Sequence, residues 1–186
     1  KVGAFDKAID AIKICSNAGI HTTTSFCPTN FNYKEFRTCV DLVFALGVSE
    51  VRIQPLMPLG NALFHLDIIP AESQYFELRQ TIELVSQKYP TKKIEWGDPI
   101  DHLIRFSTVM KKYNVQVTVN AEGGISISPY IPITFGNIRK HRLCEYWAKG
   151  LHQIWQLPIC QEVVQYVTTC TDFMRGDIPM PLSFYD

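Results

Sequence analysis

What most constrains this chain is an alternation in its first sixty residues, where two helical patterns and two extended runs follow one another across connections of only a few residues. Phe5, Ala8, Ile9, Ile12 and Cys15 recur at helical spacing, and Gly19 stands where a left-handed stop belongs. "IHTTTSF" (20–26) is rich in β-branched residues, which lose little by being extended, and Pro28 stops it, so it predicts a strand. Asn32 with Glu35 three residues on has the form of a capping box, opening a helix that buries Phe36, Val40, Val43 and Phe44 and ends at Gly47. "EVRIQPL" (50–56) predicts the next strand. Parallel neighbours require a crossover, and the helices supply it; the expectation is a parallel sheet with helices outside. Ligands of such sheets gather beyond the carboxyl ends of the strands, which here are "CPTNFN" (27–32) and "PLMPLG" (55–60).

Further on, Tyr75, Leu78, Ile82, Val85 and Tyr89 describe another amphipathic helix on the sheet. "PTKKIEWGDPIDH" (90–102) reads as an extended piece and a turn at Gly97-Asp98-Pro99, which divides the chain into α/β units over 1–102 and a smaller, partly antiparallel α+β unit over 103–186. In the latter, "VQVTVN" and "ISISPY" flank Ala121-Glu122-Gly123-Gly124, and paired glycines accept the positive φ of a hairpin turn. "TFGNIRKHRLCEYWAKGL" (134–151) turns at Gly136-Asn137 into a short helix, "ICQEVVQYVTTC" (159–170) predicts a second, and "RGDIPMPLSFYD" reads as irregular.

Composition narrows the function. With 18 basic and 18 acidic residues the formal charge is zero, so nothing attracts the chain to nucleic acid or an anionic membrane, and no uncharged apolar run has membrane-spanning length. Six cysteines without close pairing match neither a zinc ribbon nor a disulfide miniature and favour a reducing, cytoplasmic setting. The five histidines show no metal-like spacing, Arg175-Gly176-Asp177 is a coincidence of three letters, and no nucleophile elbow, Walker loop or dinucleotide fingerprint is present. Thiolates are the ligands of iron–sulfur clusters, and Cys144, Cys160 and Cys170 all fall in the second unit; their wide gaps and the lack of a fourth partner leave small buried thiols as the commoner reading. The chain opens at Lys1 within a few residues of a helix, and it is expected to be a piece of something longer.

The order of these signals resembles the later part of the radical S-adenosylmethionine barrel, in the branch with SPASM or twitch extensions that includes the molybdenum-cofactor cyclase, the pyrroloquinoline-quinone synthesis enzyme and peptide maturases. Asn32, Glu35, Phe36, Leu46, Gly47, Val48, Val51, Arg52, Pro55, Leu56, Pro58 and Gly60 stand at the corresponding places of the barrel pattern. Gly136, Asn137, Ile138, Leu143, Glu145 and Trp147 do so for the hairpin and its continuation. The resemblance covers roughly residues 3–64 and 123–151. It implies the last α/β units of a partial, TIM-type (β/α)6 barrel followed by a twitch-like unit.

It also implies a site. The end of the last barrel strand in that family forms a wall against the adenine of S-adenosylmethionine, which places Ile53, Gln54, Pro55, Leu56 and Met57 there, with Thr24 and Phe26 facing the same cavity; plain barrel core is the competing reading for each. Two departures stand out: no CxxxCxxC loop for the [4Fe–4S] cluster is present, and the hairpin stretch Ile125 to Pro132 lacks the cysteine usual in a SPASM domain. The expected function is the carboxyl-terminal portion of a radical S-adenosylmethionine enzyme that modifies a peptide or cofactor precursor. S-adenosylmethionine and [4Fe–4S] are cofactors of the parent, and neither binding by this piece alone nor activity is expected of it. The alternatives are a binding or scaffolding module without catalysis, and an unrelated α/β enzyme. An isolated pair of parallel strands leaves open edges, so self-association through them is expected as well.

Overall fold

The computed structural model describes residues 3–58, 60–109, 116–128, 130–131, 133–169 and 172. Two compact units emerge, Lys1–Leu56 with Phe64–Asp98 and Met57–Leu63 with Pro99–Asp186. The chain is mixed α/β, with a three-stranded parallel sheet in the first unit and a small antiparallel pair in the second. No described helix is long and apolar enough to cross a membrane.

The first unit runs α1 (Ala4–Asn17), β1 (Thr23–Phe26), a 3-10 turn and α2 (Phe36–Ala45), β2 (Glu50–Ile53), α3 (Glu72–Lys88) and β3 (Lys93–Trp96). Its strands lie in the order β1-β2-β3 and all are parallel, with Phe26, Ile53 and Trp96 at one level and Thr23, Glu50 and Lys93 at another. Sequential order means that the chain always winds the same way. Accordingly both crossover helices serve a single core: Phe36, Val40, Val43 and Phe44 of α2 and Leu78 and Val85 of α3 are buried with Phe26, Val51 and Ile53. Because side chains alternate along a strand, the other face carries Thr23, Ser25, Glu50, Arg52, Lys93 and Glu95. Away from the sheet α2 and α3 are pinned, since the Asp41 carboxylate accepts from Lys88 Nζ at 2.8 Å and Tyr89 Oη at 2.7 Å.

Two local expectations change. The extended piece in 90–102 is a third parallel strand, so β2 is central rather than half of an isolated pair. Asn32 does not cap the following helix. Its Oδ1 accepts from the Thr29 N–H at 2.7 Å and its Nδ2 donates to the Cys27 carbonyl at 3.1 Å, so the side chain reaches back and closes the loop after β1.

In the second unit come α4 (Pro99–Ile104) with a π-helical turn over Arg105–Val109, β4 (Thr118–Val119), β5 (Ile125–Ser126), α5 (Leu143–Ala148), a 3-10 segment Leu151–Gln156 and α6 (Pro158–Tyr166). The hairpin turns through Asn120 to Gly124, where Asn120 Oδ1 accepts from the Gly124 N–H at 2.7 Å and Gly123 has φ +88°. Residues 135–138 add alongside: the Phe135 N–H donates to the Ile125 carbonyl, and the Ile138 N–H to that of Gly123. This layer is buried with Leu151, Ile154, Trp155, Cys160 and Val163.

Gly136-Asn137 is held by Tyr146 of α5. The tyrosine hydroxyl accepts from the Asn137 N–H at 3.0 Å and donates to the Asn137 carbonyl at 3.1 Å, while its ring lies over Gly136 where no Cβ could fit.

Candidate functional site

The carboxyl ends of three parallel strands are where this frame leaves backbone and side chains free for a ligand. Beyond β1, the loop over residues 27–32 is fixed by Asn32 and by the Asn30 N–H, which donates to the Ile68 carbonyl at 2.9 Å. Beyond β2 the ladder continues for one bond on each side: the Gln54 N–H donates to the Phe26 carbonyl at 2.9 Å, and the Gly97 N–H to the Ile53 carbonyl at 2.8 Å. All three strand ends are therefore level.

On the open face a line of charges crosses β2 and β3. Lys93 Nζ lies 3.1 Å from both Glu50 Oε1 and Glu95 Oε2, and Arg52 Nη2 lies 3.2 Å from Glu95 Oε2. The Lys93 hydrogen bond holds the Glu95 carboxyl below its usual range, and bonds to Glu95 and then Glu50 hold the Lys93 ammonium above its own. Both are thus charged at neutral pH, so neither is poised for proton transfer. Arg52 lies beside Gly97, where an added Cβ would stand 3.3 Å from Arg52 Cδ, a tight fit. A guanidinium has five N–H donors and Glu95 takes one here, which leaves Arg52 able to meet an anionic group at the sheet's carboxyl end. This face can bind and orient; among the described residues it offers no nucleophile with a base beside it.

The residues expected to form the site fall on different sides of the sheet. Phe26 and Ile53 are buried on the helix-covered face, with the Phe26 ring edge-on to Phe36 at 5.3 Å between centroids. Thr24 shares their parity and is half-buried. Gln54 follows Arg52 in the alternation and is exposed, Pro55 is buried, and Leu56 is half-buried. Met57, also half-buried, is counted with the second unit. Gln54 and Leu56 are thus available at the strand end, whereas Thr24, Phe26 and Ile53 point to the core. Ser25, Arg52 and Glu95, which sequence reasoning passed over as site residues, lie on the open face; their polar character at alternate positions was the available signal.

A cluster site can be tested on the cysteines. Cys160 is fully buried among apolar side chains, and that burial pushes its thiol up to about 12. Cys144 is exposed on α5, and Cys170 and the Arg175-Gly176-Asp177 tripeptide lie outside the described residues. Among the described residues no three His, Cys, Asp or Glu side chains come together as a metal site.

Neither a protein-family model nor a curated protein sequence matches this chain.

Proposed function

We propose that this chain is the carboxyl-terminal portion of a radical S-adenosylmethionine enzyme acting on a peptide or another cofactor precursor. What carries the reading is the sheet: three sequential parallel strands, every crossover helix in one core on one face, and a polar second face. That is the arrangement expected of consecutive units in a partial (β/α)6 barrel, whose helices lie outside and whose inner face meets the ligand. In this reading Gln54, Pro55 and Leu56 contribute to the wall against the nucleoside, and Arg52 meets an anionic group of cofactor or substrate. The second unit is a twitch-like extension. The protein's share of the work is to position and shield. The outer edges of β1 and β3 are where further strands of the parent, or those of a second copy, would add.

The test is to read the coding sequence upstream of Lys1 for a CxxxCxxC loop, and to reconstitute the extended chain anaerobically with iron and sulfide. Formation of 5′-deoxyadenosine from S-adenosylmethionine on reduction is expected. An extended chain without that loop, or one forming no 5′-deoxyadenosine, overturns the proposal. One observation favours a second reading, a binding module without catalysis: the charges on the open face are already closed on one another.

A further inference from the structure

One segment of the second unit is short and weakly tied. α4 has only six residues, too few to hold a helix by themselves, and it runs straight into the π-helical turn over Arg105–Val109, a rare winding. The hydroxyls of Ser107 and Thr108 both donate to the Ile104 carbonyl, at 3.2 Å and 2.6 Å, and so compete with the helix ladder for it. What holds the segment is its packing. Leu103 is buried in the core, the Phe106 ring lies 5.7 Å from that of Trp155, and Gln161 of α6 donates to the Ser107 carbonyl at 2.9 Å.

His102 stands within this packing. Its ring centroid lies 4.5 Å from that of Phe106 and 5.4 Å, edge-on, from that of Tyr130, and its Nε2 is buried without a hydrogen-bond partner. A neutral imidazole tolerates that position. Protonation puts an N–H on both ring nitrogens, so Nε2 would carry a charged donor into a place that offers it no acceptor. Among the described residues the charges acting on the ring belong to its own segment, Arg105 and Asp101, which pair with each other at 3.0 Å. The neighbouring elements bring the Tyr130 phenol, the Trp155 indole from the 3-10 segment and the Gln161 amide from α6, whose Glu162 is exposed. Burial first and Arg105 second push the His102 pKa below the ordinary histidine value, against the pull of Asp101. Stacking on Phe106 also favours the cation, but a ring face beside the imidazole leaves the buried Nε2–H unbonded.

We propose that His102 is an acid-sensitive latch: once protonated it no longer fits between Phe106 and Tyr130, and the segment from α4 through the π-helical turn leaves the core of the second unit. The sign follows from which state takes the proton more readily. That is the open segment, so closure is at full strength above about pH 6.5 and weakens by at most about tenfold per pH unit below it, until the ring of the closed segment is itself charged. Every contact named lies within the second unit, so the latch does not depend on the function proposed above.

The experiment follows the histidine rings of the full chain by nuclear magnetic resonance between about pH 7.5 and about pH 5, with His102 assigned by elimination through His21→Gln, His65→Gln, His141→Gln and His152→Gln. Amide hydrogen exchange, corrected for its intrinsic pH dependence, is read over the same range. His102 is expected to titrate below about 6.5, and opening of the amides of residues 103–107 to rise as it does so, while Val43 in the first unit stays protected. In His102→Phe, which keeps a ring between Phe106 and Tyr130, and in His102→Gln, that pH dependence should vanish. Should either variant fail to fold, the titration and exchange of the parent chain decide alone. Titration of His102 at or above about 6.5, which would mean that stacking on Phe106 prevails, overturns the proposal. So does opening of residues 103–107 that is the same at both ends of the range, or that still rises in acid in a folded His102→Phe.

Discussion

Replacing Gly136 with alanine tests whether the second unit is held by the contact between its hairpin layer and α5. A Cβ at 136 would overlap Tyr146 Cε1 and stand 2.5 Å from Cζ and 2.9 Å from Oη. Tyr146 is only 2% exposed, so its ring has no solvent to swing into without opening the core. Overpacking of this kind costs about 1–3 kcal/mol. If the ring is displaced, the two hydrogen bonds between its hydroxyl and the Asn137 backbone are lost as well, at about 1 kcal/mol each. The expected loss is therefore about 3–5 kcal/mol, a large share of the stability of a unit this size. Urea unfolding followed by intrinsic fluorescence and far-ultraviolet circular dichroism measures it. Gly136 also has φ +155°, so backbone conformation is a rival cause, and a double-mutant cycle separates the two. With Tyr146→Leu in place the ring is gone and only the strain of alanine at φ +155° remains, about 1–3 kcal/mol, so Gly136→Ala should cost clearly less than in the parent background. Equal losses in both backgrounds would refute the steric argument and assign the glycine to the backbone.

Tyr146→Phe alone should cost about 1–3 kcal/mol by leaving the Asn137 N–H and carbonyl without the hydroxyl, read in the same unfolding assay. A thiol reagent under native conditions should label exposed Cys144 quickly and buried Cys160 only on unfolding; equal rates would show that the Cys160 site is open. Asp41 is held below the usual carboxylate range by its bonds from Lys88 and Tyr89, so its contribution is fully present above about pH 4, the unfolded value, and is lost as pH falls through the lower folded value. The stability gap between the parent chain and Asp41→Asn should accordingly be constant near neutrality and close in acid; a gap that widens there contradicts the assignment. Asn32→Ala should loosen the loop after β1, raising hydrogen exchange at the Thr29 amide while leaving α2 protected, since Asn32 does not cap that helix.

The parallel frame was legible because its helices are strongly patterned: Phe36, Val40, Val43 and Phe44 demand an apolar partner, and Val51 and Ile53 supply it. β3 was harder to read. As an edge strand it places only Ile94 and Trp96 toward the helices, both partly exposed, between two charged residues that lie on the open face. Its apolar signal is that of a loop with two hydrophobic residues. The start of α4 carried a usable sign, Pro99 at the first helical position, where a missing N–H costs nothing. Which face each strand residue takes was not legible from the strands alone. The resemblance set Phe26 and Ile53 at a cavity wall, with plain core as the competing reading; the alternation that buries them against α2 turns Ser25 and Arg52 to the other face, and only knowing which face the helices take assigns the two sets. Asn32 and Glu35 had the right spacing for a cap, but loop geometry turned the asparagine back toward Cys27 and Thr29.

Parallel sheets are nearly always covered on both faces. Here every crossover helix serves one face, and the other presents Glu50, Arg52, Lys93 and Glu95 from two neighbouring strands. Such a row tolerates water, but it would not tolerate the dry interior of a fully closed barrel, which is filled in layers by branched apolar side chains. Desolvating four linked charges costs several kcal/mol per ion, and their mutual attraction recovers this only with every hydrogen bond satisfied. Arg52 has donors to spare, with one bond to Glu95. The row is therefore compatible with two settings, a face left wet or an interior wide enough for water and a polar ligand. The proposed partial barrel provides the second. Substituting Arg52 with leucine should separate them: on a wet face it removes one exposed ion pair and changes stability by less than about 1 kcal/mol, with no effect on ligand binding. In a ligand-filled interior the same change should abolish binding of the anionic group in the extended chain while leaving the fold intact.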